Sequence, residues 1–82
     1  MKKEVKISMN DSMETTPIAH LVALANQFSS QIYLEMGSTR VNAKSIMGMM
    51  SLVLMTGSVV TIDAAGDDQD TAVEAIEQFL TT

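Results

Sequence analysis

No cysteine occurs among the 82 residues, which excludes a disulfide framework and a thiolate metal site. That absence fits an intracellular protein. Histidine is nearly as scarce: His20 stands alone, so a histidine-based metal site finds no support either. Basic residues are few. Lys2, Lys3, Lys6, Arg40 and Lys44 face ten acidic residues, for a formal charge of −5, and residues 7–39 contain no Lys or Arg. A nucleic-acid partner needs a basic patch against its phosphates, and the one small cluster, at the N-terminus, is interrupted by Glu4. No direct nucleic-acid contact is therefore expected. Long apolar runs are missing too. The longest apolar-rich stretch, Ile46 to Met55, is broken by Gly48 and Ser51 and falls far short of the roughly 20 residues of a membrane span. No signal-peptide apolar segment follows Met1-Lys2-Lys3, so a soluble, cytoplasmic protein without membrane contact is expected.

What is present suits one small globular domain over residues 1–82, with 46% hydrophobic and 18% charged residues. Residues 4–9 alternate, with Val5, Ile7 and Met9 on one face, which predicts a half-buried strand. Asn10-Asp11-Ser12 signals a loop. Thr16 before Pro17 predicts a capped helix start, and Ile18, Leu21, Val22, Ala25 and Phe28 continue it as an amphipathic helix over 17–28. Ile32, Leu34 and Met36 alternate up to a Gly37-Ser38 turn, and Thr39–Ala43 returns as the second arm of a hairpin. Ser45 caps a short predicted helix over 46–52, ended by Thr56-Gly57. Ser58–Ala64 forms a further strand with Val60 and Ile62 inward. Gly66-Asp67-Asp68 opens the last helix, with Ala72, Val73, Ile76, Phe79 and Leu80 inside and its acidic first turn assigned to helix capping. The order βαββαβα predicts an α+β fold: a four-stranded antiparallel sheet covered on one face by three helices.

Residues 41–52, Val-Asn-Ala-Lys-Ser-Ile-Met-Gly-Met-Met-Ser-Leu, closely resemble the serine-site region of the HPr family. HPr is the small phosphocarrier of the bacterial sugar phosphotransferase system. The likeness runs on through Phe28–Glu35, the Gly57 turn, the Ala-Gly-Asp loop and the last helix. It implies the HPr fold, an open-faced β-sandwich.

At the family's carrier site the chain departs from the pattern. Where HPr proteins carry Gly-Ile-His-Ala-Arg-Pro-Ala, this chain has Ser12-Met13-Glu14-Thr15-Thr16-Pro17-Ile18. Glu14 occupies the position of the phosphorylated histidine and Thr16 that of the arginine. A phosphocarrier needs a neutral imidazole nucleophile and positive charge for the arriving phosphate, whereas a carboxylate repels it. No catalytic residue, cofactor or enzymatic activity is expected. The pattern is similar to Crh-like members, which lack the histidine but are phosphorylated on serine. Those members keep the arginine that is missing here.

The resemblance makes Ser45 the candidate regulatory phosphorylation site, with an HPr kinase/phosphorylase-like kinase as partner. The plainer reading of Ser45 is an N-cap, and a phosphate at a helix start would also gain from free N–H groups. Ile46, Met47 and Met50 form the candidate partner-binding patch, since so short a helix cannot bury every apolar side chain. A transcriptional regulator resembling catabolite control protein A is a further implied partner, a case weakened by the missing arginine. Transfer from enzyme I is not expected, because the first helix offers no basic surface. His20 reads as a surface histidine, and the Asp67/Asp68/Asp70 group lacks calcium-loop spacing. Two alternatives remain open: an atypical phosphocarrier with another acceptor, and a diverged paralogue acting only as an interaction module. Monomer and dimer are equally open.

Overall fold

The computed structural model describes residues 1–8, 15–51 and 57–81, with backbone alone at 15–17. Among the described residues four strands and three helices follow in order: β1 (Lys2–Lys6), α1 (Thr15–Ala25), β2 (Gln31–Met36), β3 (Thr39–Asn42), α2 (Ile46–Met49), β4 (Val59–Ala65) and α3 (Gln69–Leu80). The sheet order is β1-β4-β2-β3, with every neighbouring pair antiparallel. This is the four-stranded open sheet with three helices that the patterning predicts.

Alternation dictates the two faces of the sheet. Val5, Ile7, Ile32, Leu34, Val60, Ile62 and Ala64 point inward and are buried, where they meet Leu21 and Ala25 of α1, Met49 of α2, and Ala72, Val73, Ile76 and Leu80 of α3. Burying each large apolar side chain contributes roughly 1.5–3 kcal/mol. Phe28 and Phe79 are partly buried against the same core. The opposite face is polar. There Arg40 pairs with Glu35 and, at 3.0 Å, with Asp63, and its guanidinium lies 4.3 Å from the Tyr33 ring centroid. Such a cation over an aromatic face covers the ring without closing the face to water.

Several boundaries differ from the sequence reading, those of β3 and β4 by one residue. The first strand begins at Lys2 rather than Glu4, because an edge strand with one solvent face accepts charged residues. Ile7 continues its bonding, donating to Ser58 O at 2.8 Å and accepting from Gly57 N at 2.7 Å, while Met9 and the loop at 10–12 lie outside the described residues. α1 starts at Thr15, so Thr16 lies inside the first turn rather than capping it, and Pro17 is third. First-turn N–H groups have no intrahelical acceptor, so proline costs little there. α1 also stops at Ala25, where tighter bonds such as Gln27 N to Leu24 O at 3.0 Å replace the helical pattern.

A further difference is Asp68. It occupies the N-cap position of α3 but makes no side-chain cap bond. Its carboxylate instead accepts from Ser29 N and Ser30 N, each at 2.9 Å, and from the Ser30 hydroxyl. These bonds hold its pKa down to about 2, the Ser30 hydroxyl contributing most and the Ser29 amide next. Capping therefore does not explain this acid; a cross-chain clasp does. Gly66 belongs to the same joint. Its φ is +155°, and a Cβ there would fall 2.6 Å from Ser30 Oγ and 2.7 Å from Ser30 Cα.

Candidate functional site

The segment between β3 and α2 is fixed before the helix begins. Asn42 accepts twice: its side-chain oxygen takes Lys44 N at 2.8 Å and its carbonyl takes Ser45 N at 3.0 Å. The end of α1 grips the same segment. Lys44 Nζ donates to Phe28 O at 2.6 Å, and Asn26 Nδ2 donates to Lys44 O at 3.2 Å and Val22 O at 2.9 Å. A cation at a helix C-terminal end is well placed among carbonyls that lack partners. The lysine next to Ser45 is thus engaged with α1.

Ser45 then enters α2 with extended backbone, φ −106° and ψ 115°. Its carbonyl accepts from Met49 N at 2.9 Å, and its hydroxyl oxygen accepts from Gly48 N at 3.3 Å. Ser45 is therefore the N-cap its sequence position predicts. The cap bond is long against the usual 2.9–3.0 Å, and the residue is exposed. A Cβ at residue 48 would lie 3.6 Å from Ser45 Oγ, so the glycine leaves that side of the hydroxyl uncovered.

α2 spans four residues and stops short of the expected end at 52: Met50 is its C-cap, and Ser51 N donates to Gly48 O at 3.1 Å in a tighter closing turn, while residue 52 lies outside the described residues. One turn can offer one face to the core. Met49 takes it and is 0% exposed, whereas Ile46 is 44%, Met47 83% and Met50 60% exposed. The three residues expected to form a patch are thus all exposed, within five residues of Ser45.

The other candidates are placed unequally. His20 is exposed on α1, as its position off the apolar stripe predicts. Thr16 lies in the first turn of α1, with its side chain outside the description, and Glu14 lies outside the described residues. Among the described residues no group of three His, Asp or Glu side chains converges where a metal could sit, and no helix is long and apolar enough to cross a membrane. The grip of Asn26, Phe28 and Lys44 was invisible to the sequence reading, because it joins residues 16 and 18 apart through folding alone.

Comparison with known proteins agrees with this architecture. A family model described as the PTS HPr component phosphorylation site matches residues 1–82. The HPr-like protein Crh of Halalkalibacterium halodurans is 39% identical over 80 residues, covering 98% of this chain and 95% of that protein. A crystal structure of phosphocarrier protein HPr from Bacillus anthracis superposes with a TM-score of 0.91 at 40% identity, covering 98% of this chain and 95% of that one. Crh of Bacillus subtilis, crystallised as a dimer with a swapping domain, gives a TM-score of 0.76 at 38% identity, covering 95% of this chain and 90% of that one.

Proposed function

This chain belongs to the HPr family of the phosphotransferase system, and from that premise we propose that it is a regulatory member rather than a phosphocarrier. It acts in the cytoplasm through protein–protein contacts in carbon catabolite regulation and is itself no catalyst. Ser45 is its phosphorylation site, and Ile46, Met47 and Met50 are its docking patch. The observation that carries this reading is a contrast within one chain. The residues that hold a phosphoryl group in a carrier are replaced by Glu14 and Thr16, whereas the serine stretch is kept and its hydroxyl stands exposed beside an apolar patch.

In the proposed reaction Ser45 Oγ attacks the γ-phosphorus of ATP within an HPr kinase/phosphorylase-like kinase. The P–O bond to ADP breaks, and the hydroxyl proton passes to a base on the kinase. The product adds about −1.5 to −2 charges next to the apolar patch, which alters the partners the patch accepts more than it alters the fold. Nearby positive charge is limited, since Lys44 Nζ is held by Phe28 O. Free N–H groups at the head of α2 therefore become the phosphate's main local donors. A regulator resembling catabolite control protein A is a partner of this kind. The swapping dimer of B. subtilis Crh supports self-association as a second state.

Incubation with ATP and HPr kinase/phosphorylase, followed by peptide mass mapping, tests the reading. One phosphoryl group on Ser45 is the expected result, lost in folded Ser45→Ala. Label elsewhere, or none, makes Ser45 a cap and nothing more. Enzyme I with phosphoenolpyruvate is expected to leave the chain unlabelled, and an adduct on His20 would establish the atypical carrier instead.

A further inference from the structure

We propose that Met47 and Met50 are a modification site for peroxide, converted to methionine sulfoxide while Met49 on the same turn is spared. Three methionines stand within four residues, and α2 sorts them sharply. Met47 is 83% and Met50 60% exposed, whereas Met49 is 0% exposed inside the core. Peroxide reacts where it can reach the thioether sulfur, so accessibility sets the order of reaction.

The step is an oxygen-atom transfer. A sulfur lone pair attacks one oxygen of hydrogen peroxide, an S–O bond forms as the O–O bond breaks, and a proton moves to the departing oxygen, which leaves as water. Sulfur is oxidised by two electrons and the peroxide is reduced by two. The product replaces a flexible apolar thioether with a polar, hydrogen-bond-accepting sulfoxide. Two of the three patch residues can change in this way, and Ile46 cannot.

The sorting has a structural consequence. Oxidation of Met49 would place a polar group in the core, but oxidation of Met47 and Met50 alters a surface already in water. The fold therefore survives while the patch loses its apolar character. The Ser45 hydroxyl and its bond to Gly48 N involve neither sulfur, so phosphorylation and oxidation are chemically distinct inputs to one surface, coupled only through what docks on it. The effect on docking rests on the patch reading above; the reactivity of the two sulfurs does not.

The full chain is treated with dilute hydrogen peroxide and mapped by peptide mass over time. Met47 and Met50 are expected to gain oxygen about tenfold faster than Met49. Thermal unfolding should stay cooperative, and the oxidised protein should elute earlier from a hydrophobic-interaction column. Equal rates at Met47 and Met49, or unchanged retention after oxidation of both exposed residues, would overturn the proposal. The same samples are offered to HPr kinase/phosphorylase, where labelling of Ser45 should slow about threefold or more after oxidation. In Met47→Leu/Met50→Leu the labelling rate, whatever its starting value, should no longer respond to peroxide. A response that persists there would place the sensitive group elsewhere. If the untreated chain is never labelled, the phosphorylation reading fails, while mass mapping and column retention still decide the oxidation site.

Discussion

At the head of α2, Ser45 turns onto its own helix, accepts one long bond from Gly48 N, and stays in water. At the head of α3, Asp68 stands in the corresponding position but turns away, directing its carboxylate to Ser29 and Ser30, 39 and 38 residues distant in sequence. Both residue types are favoured caps, so local preference alone does not separate them. What separates them is the surroundings. Asp68 meets backbone N–H groups that need an acceptor close to the core, since Ser30 is fully buried. The Ser45 hydroxyl accepts from Gly48 N of its own helix. One start is a structural joint; the other carries an exposed hydroxyl held by one long bond.

The contrast can be broken most forcefully at the joint. Gly66→Ala places a methyl 2.7 Å from the Ser30 backbone and demands a positive φ of an alanine. It should cost roughly 2–4 kcal/mol in urea unfolding. Ser45→Ala at the open start should cost less, about 0.5–2 kcal/mol for a lost cap, while abolishing kinase labelling altogether.

Acid should then expose the joint's charge. The pKa of Asp68 lies below its ordinary value of 3.8, at about 2, so the carboxylate contributes stability above about pH 4 that is lost as pH falls through 2. The difference in urea midpoint between the natural protein and Asp68→Asn should be constant above pH 4 and shrink between pH 4 and 2. The mildest test is Gly48→Ala. It meets only ordinary contacts at 3.6 Å and gains helix propensity, so stability should hold or rise by up to about 1 kcal/mol. Labelling of Ser45 should nevertheless slow, because the added methyl covers a side of the hydroxyl that the glycine leaves open to a kinase.

Elements governed by local period were legible in the sequence. Val5 and Ile7, Ile32 and Leu34, and Val60 and Ile62 declared their strands, and the Ala72–Leu80 face declared α3. The sorting of α2 was legible in kind, since a single turn must expose most of an apolar run. Helix ends were less so: Thr16-Pro17 is a good start signal, yet proline fits several first-turn positions equally well. The Asp68 clasp and the Lys44 grip were not legible, because each depends on segments brought together only by the finished fold.

The strand order carries a temporal consequence. Its two halves meet at β4, which pairs with β1 on one side and β2 on the other. The Met1 amine reaches its acceptor, Ala64 O, across 63 residues of chain at 2.7 Å. During synthesis β1 emerges first and waits, unpaired, until nearly the whole domain has followed. The β2–β3 hairpin closes locally and early, but the sheet is completed by contacts of long sequence separation. Such a chain should collapse around its hairpin and then fold through a slower closing step, at rates nearer those of mixed α/β domains than of helical bundles.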